Sequence, residues 1–232
     1  TGFEGHEFFE ASSMRKINGK YYFIYSSILS HELCYAVSDY PDRGFRFGGT
    51  IVSNGDVGFQ GRTEPLNYTG NTHGSLACVH GQWYVFYHRQ TNKHNYSRQA
   101  CAEPISFAED GSIAQVEVTS CGLNGGALVG KGSYPAYIAC NLMSKSGALH
   151  YGTAATPEAE GHPYLTQTGE DREENGDQYI ADMQDGALAG FKYFEFTGKT
   201  KIGIEVSGHG EGVMEVWTKL EEACGMETHG ME

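Results

Sequence analysis

The sequence predicts an all-β chain, and three observations carry that prediction. Glycine supplies 32 of the 232 residues and proline only 6, about twice the ordinary usage of glycine. Aromatic residues make up 12% and gather in short runs rather than at helical spacing. The chain also repeats itself: INGKYYFIYSS at 17–27 matches VHGQWYVFYHR at 79–89, an offset of 62 residues. Each copy is a glycine turn followed by an aromatic-rich strand, the pattern of a β-hairpin.

The remaining elements follow from the repeat. A strand over 10–16 precedes the turn at Gly19, and one over 74–79 precedes the turn at Gly81. Third strands are expected at 33–38 and 97–103, and fourth strands at 48–53 and 113–119. Four antiparallel strands per repeat make a propeller blade. Two blades cannot close a ring, so the chain is expected to be a fragment or to assemble with something else. The pattern changes from Gly161 onward. Apolar alternation at 186–196, 201–206 and 212–217, separated by glycine turns, reads as a β-sandwich. Trp217 and Tyr193 are expected in its core. The expected domains are therefore 1–145, the last blades plus a connector, and 146–232, a truncated sandwich.

Composition narrows the function. A formal charge of −13 argues against nucleic acid, which needs a basic surface, and is compatible with neutral sugars. No run approaches the roughly 20 apolar residues of a membrane span. The six cysteines, Cys34, Cys78, Cys101, Cys121, Cys140 and Cys224, show neither a CxxC pair nor zinc spacing. They read as small buried hydrophobes, although an even count leaves disulfides open. HEFFE at 6–10 resembles a zinc-protease motif but lacks the second histidine and reads as strand.

Three side chains are candidates for chemistry. Glu10 aligns with Thr72 through the repeat, one position from His73, so both stand at the start of an inner strand, where propellers build their sites. A carboxyl beside Phe8 and Phe9 in a concave centre is expected to have its pKa raised by desolvation, as a general acid requires. His73 can hold a metal or hydrogen-bond a substrate. Arg98 can donate to sugar hydroxyls. Each also has a plainer reading: a solvated strand-end charge, a structural histidine, a surface ion pair.

FEASSMRKINGKYYF at 9–23, THGS at 72–75 and SRQ at 97–99, in that order and spacing, resemble glycoside hydrolase family 43. The resemblance covers residues 1–145. It implies a five-bladed β-propeller that cleaves arabinofuranosyl or xylosyl linkages of hemicellulose, with arabinose- or xylose-containing oligo- or polysaccharides as partners. It implies that Glu10 is the general acid and that Arg98 contacts the sugar. His73 would hold a calcium at the propeller centre, mostly through water. Family members invert configuration with an Asp base, a second Asp that tunes the acid, and the Glu. Base and acid stand roughly 6.5–9.5 Å apart. Both Asp residues precede the Glu in the family, and no Asp precedes Glu10 here. Asp39, Asp42 and Asp56 follow it and are not expected to take those roles, so this chain alone is expected to be inactive. The order of strands after Gly161 resembles a family 6 carbohydrate-binding module, a jelly roll. That points to an extracytoplasmic location and to an alternative function, a non-catalytic sugar-binding protein.

Overall fold

The computed structural model describes residues 2–149, 160–170, 176–198 and 200–219. Within them the chain is all-β, with helix confined to short 3-10 turns at Asn54–Asp56, Phe59–Gly61, Gly122–Asn124 and Ala136–Ile138.

The first repeat folds as an antiparallel meander of β1 (Phe8–Ile17), β2 (Lys20–Ser27), β3 (Glu32–Ser38) and β4 (Arg46–Ser53), in that spatial order. The second gives β5 (Gly74–Val79), β6 (Gln82–Gln90) and β7 (Arg98–Ile105), also in order. The two inner hairpins are near copies. Ile17 pairs with Lys20 and Val79 with Gln82, so each loop has two residues. Asn18 and Gly19 have φ of 50° and 84°, and His80 and Gly81 have 50° and 85°. Positive φ at both central residues is the primed turn that matches strand twist, and glycine adopts it without steric cost.

The two sheets pack on one core. Tyr22, Ile24, Leu33, Tyr35 and Ile51 of the first meet Leu76, Val85, Tyr87 and Ile105 of the second. At the seam, Ser13 and Ser75, equivalent positions 62 apart in the repeat, share a hydrogen bond of 2.7 Å, and Arg15 Nε donates to the Leu76 carbonyl at 2.9 Å. Tyr25, Cys34 and Ala36 form a smaller cluster with Phe3, Phe23, Phe45 and Phe47.

Among the described residues the second sheet has no fourth strand. Residues 113–119 make a single bridge, Ile113 to Phe107, and otherwise run irregularly. Side-chain carboxylates take the N–H groups that a ladder would have used: Val118 N donates to Asp56 Oδ1 at 2.6 Å and Thr119 N to Glu103 Oε1 at 2.7 Å. Val116 N donates instead to the Ile51 carbonyl of β4 at 2.8 Å.

The later residues also depart from expectation. β8 (Leu128–Val129) pairs in parallel with β13 (Phe194–Glu195), and β9 (Asn141–Met143) pairs antiparallel with β12 (Leu188–Gly190), so ladders join residues on both sides of 145. β10 (Tyr164–Gln167) and β11 (Gln178–Ala181) form a separate hairpin. Residues 201–206 and 212–217 form no strand, and Ile204, Val206 and Val213 are 55%, 74% and 90% exposed. Their alternation has no facing sheet among the described residues, and an unpaired, uncovered strand has nothing to hold it. Trp217 and Tyr193, expected in a core, are both half exposed; Tyr193 is fixed by donating its hydroxyl to Glu117 Oε2 at 2.7 Å. The five described cysteines are free thiols, with Cys34 and Cys140 buried, Cys101 and Cys121 partly buried, and Cys78 exposed. Cys224 lies outside the described residues. No helix among the described residues is long and apolar enough to cross a membrane.

Candidate active site

Glu10 lies on β1 opposite Ser26, between two register shifts: Phe8 pairs with Ser27, Glu10 with Ser26 and Ser13 with Ile24. Each shift inserts one residue into β1, and Ala11 takes a φ of 56° to absorb the second. Such bulges bend a strand and re-aim a side chain. Here Glu10 reaches across the seam to the second sheet.

His73 immediately precedes β5 and is pinned there. Ser26 Oγ donates to the Thr72 carbonyl, and Thr72 N donates to the Ser30 carbonyl at 3.1 Å. Gly74 permits the close approach of the sheets: a Cβ on it would sit 2.2 Å from the Phe86 carbonyl oxygen and 2.9 Å from a Leu33 methyl. The result is a direct contact between His73 Nε2 and Glu10 Oε1 at 2.9 Å.

Arg98 opens β7, paired with Gln90, and its side is exposed. Its charge reaches His88 on β6. The His88 imidazole is pushed down to about 4, first by burial, then by the Arg98 charge, then by His73. His88 is therefore neutral at pH 7. Its ring meets that of His73 edge-on, with centroids 5.0 Å apart. Both of its nitrogens are buried without a hydrogen-bond partner among the described residues, as are Asn71 Oδ1 and Thr72 Oγ1.

Glu10 and His73 are thus in contact, His88 packs on His73, and Arg98 acts on His88 only through its charge. Sequence reasoning missed His88, though a signal was present. Counting outward from the turn pair Val79–Gln82 through Gly74–Tyr87 places His73 opposite His88. The expected apolar enclosure of Glu10 is not provided by its neighbours. Phe8 and Phe9 are 51% and 60% exposed, and the Glu10 side chain is 45% exposed. Phe8 instead packs on Phe23 and Tyr25, away from the carboxylate.

The three aspartates set aside above are occupied elsewhere. Asp39 faces Lys20 at 3.4 Å and Asp42 faces Arg43 at 3.0 Å. Asp56 is buried against Lys192 Nζ at 2.9 Å. Calcium takes about six to eight oxygen ligands. The groups found around His73 are one carboxylate and a second imidazole, so a calcium held there would take most of its oxygen ligands from water.

No protein-family model matches the chain. Over 221 residues, 94% of its length, it is 50% identical to a xylosidase/arabinosidase of Thermoclostridium stercorarium, of which it covers 46%. It is 28% identical over 238 residues to an arabinoxylan arabinofuranohydrolase of Paenibacillus polymyxa, a match to 95% of this chain and 35% of that protein. Among solved structures, a GH43_1 enzyme from Xanthomonas citri matches 48% of this chain and 31% of its own, with 30% identity and a TM-score of 0.40. The chain is similar, nearly end to end, to a xylosidase/arabinosidase, and it spans less than half the length of these relatives.

Proposed function

We propose that this chain is part of a glycoside hydrolase of family 43 that cleaves arabinofuranosyl or xylosyl linkages of hemicellulose, and that Glu10 is its general acid. The observation that carries this reading is the Glu10–His73 contact at 2.9 Å across the seam of two repeated sheets, with His88 packed edge-on against His73. Its support from relatedness is the 50% identity to a xylosidase/arabinosidase.

In this mechanism His73 Nε2–H donates to Glu10 Oε1. That fixes the carboxyl group and leaves its other oxygen to carry the proton to the glycosidic oxygen. Neutral His88 presses edge-on against His73 and holds its ring plane. Arg98, exposed at the start of β7, donates to sugar hydroxyls. Water attack from the opposite face needs a carboxylate base roughly 6.5–9.5 Å from Glu10. We assign that base to no residue of this chain, because Asp39, Asp42 and Asp56 are engaged as described. The full site is then a five-bladed propeller to which this chain contributes two blades. No step runs through calcium. An extracytoplasmic location suits a polymeric substrate. The sugar-binding reading, which relies on a C-terminal jelly roll, finds no support in residues 201–219, where no strand forms.

The test is hydrolysis of an aryl arabinofuranoside and an aryl xyloside by the purified 232-residue chain. The expected result is no turnover. Turnover that Glu10→Gln abolishes would place a working base inside this chain and overturn the assignment.

A further inference from the structure

Away from the Glu10 site, a second cluster of chemically capable side chains stands on the outer part of the first sheet. Glu32 opens β3, and Cys34 lies two residues on, so both project from the same face of the strand. His6 comes from the segment before β1. The ligating atoms of His6, Glu32 and Cys34 lie within 4.8 Å of one another. His6 Nδ1 is 2.6 Å from Glu32 Oε1. Ser27 Oγ donates to the same oxygen at 2.5 Å and Thr50 Oγ1 to Oε2 at 2.9 Å. Cys34 Sγ is 3.7 Å from Thr50 Oγ1.

The orientation of each group is fixed independently. The His6 ring stacks on Phe47, with centroids 4.9 Å apart and planes 16° apart. Its backbone carbonyl accepts from Tyr25 Oη at 2.8 Å, and its N–H donates to the Phe3 carbonyl at 2.9 Å. Glu32 and Cys34 are buried. The His6 side chain is 34% exposed, which leaves an entry path from solvent on that side.

We propose that His6, Glu32 and Cys34 form a binding site for a borderline-soft divalent cation of the zinc class. One imidazole, one carboxylate and one thiolate are ligands zinc accepts, at about 2.0–2.3 Å each. The sulfur and nitrogen donors disfavour calcium and magnesium, which take oxygen. The charges balance: the thiolate and the carboxylate carry two negative charges against the two positive charges of the ion. On binding, Cys34 releases its thiol proton to solvent, His6 ligates through Nδ1 with its ring hydrogen on Nε2, and no electrons move. The ion takes the place of the His6–Glu32 hydrogen bond, and the pair opens to roughly 3.3 Å, the separation of two ligands on a tetrahedral zinc. Thr50 Oγ1 or a water entering beside His6 completes the fourth position. The bound ion would clip His6, four residues before Glu10, to β3.

The experiment uses the full 232-residue chain with Co²⁺ as a spectroscopic probe and Zn²⁺ as competitor. The expected result is an intense thiolate-to-cobalt charge-transfer band with tetrahedral d–d bands, displaced by stoichiometric Zn²⁺. A rise of several degrees in Tm with Zn²⁺ should accompany it. Cys34→Ser and His6→Ala should each remove the band and the Tm rise, whereas Cys78→Ser, at an exposed thiol, should keep both. His6→Ala changes a partly exposed position, so it decides the matter even if the buried Cys34→Ser variant fails to fold. Absence of the band, or a band that persists undiminished in His6→Ala, would overturn the proposal and leave the cluster as a hydrogen-bonded ion pair.

Discussion

Two stretches that both read as strands meet opposite fates in this molecule. β2, KYYFIYSS, carries an unbroken apolar run, and residues 201–206, KIGIEV, alternate apolar and polar positions. In β2, Ile24 and Tyr25 are fully buried between β1 and β3. In 201–206, Ile202, Ile204 and Val206 are 55%, 55% and 74% exposed and pair with nothing in the described structure. Alternation specifies which face of a strand is apolar. Only a neighbouring strand and a facing layer turn that into structure.

The sharpest way to break this comparison is a matched pair of truncations. Ile24→Ala removes a fully buried side chain from the common core of the two sheets. It should destabilise by about 2–5 kcal/mol, the usual range for large-to-small core changes. Ile204→Ala should stay within about 0.5 kcal/mol. Equal losses in urea denaturation would mean that 201–206 is packed as firmly as β2.

A second test concerns what holds the later residues to the sheets. Lys192 bridges Asp56 at 2.9 Å and Glu117 at 2.8 Å. Lys192→Met keeps the volume and leaves Asp56, buried, without its cation. Breaking a buried pair on one side costs about 3 kcal/mol or more. A loss below 1 kcal/mol would show that residues 186–196 dock by packing alone.

A smaller effect should appear in the pH dependence. Burial lifts the Glu103 carboxyl to about 7, against the opposing hydrogen bonds from Thr119. The unfolded carboxyl titrates near 4.3. Between these values the folded state holds a proton that the unfolded state has released, so the Glu103 contribution to stability is greatest below pH 4 and falls as pH rises to about 7. The span is on the order of 3–4 kcal/mol at most. In Glu103→Gln, which can keep both contacts to Thr119, that part of the slope should vanish. An unchanged slope would place the titration elsewhere.

Much of the sheet pair was legible because its determinants are local. A Gly turn at 19 or 81 fixes the hairpin register, and that register carries outward to the His73–His88 pairing. The bulges around Glu10 were not legible. They depend on Ala11 at a φ of 56°, and alanine gives no hint of such a conformation. The missing fourth strand was hidden for another reason: its N–H groups are taken by Asp56 and Glu103, 62 and 16 residues earlier. A residue pattern cannot reveal partners at that distance. The C-terminal alternation misled because sequence shows a strand's faces but not whether anything covers them. Of the site, the types and convergence of Glu10 and His73 could be read through the repeat. The exposure of Glu10 could not, since Phe8 packs on Phe23 and Tyr25 and Phe9 stays exposed.

The central claim, that Glu10 is a general acid, is tested most directly by leaving-group dependence in the whole protein. Glu10→Gln should slow hydrolysis of an unactivated xylo- or arabino-oligosaccharide by about 10²–10⁴-fold, the usual contribution of general acid catalysis. It should slow a dinitrophenyl glycoside far less, because that leaving group departs without a proton. Equal losses on both substrates would contradict the assignment and make Glu10 a binding or structural residue.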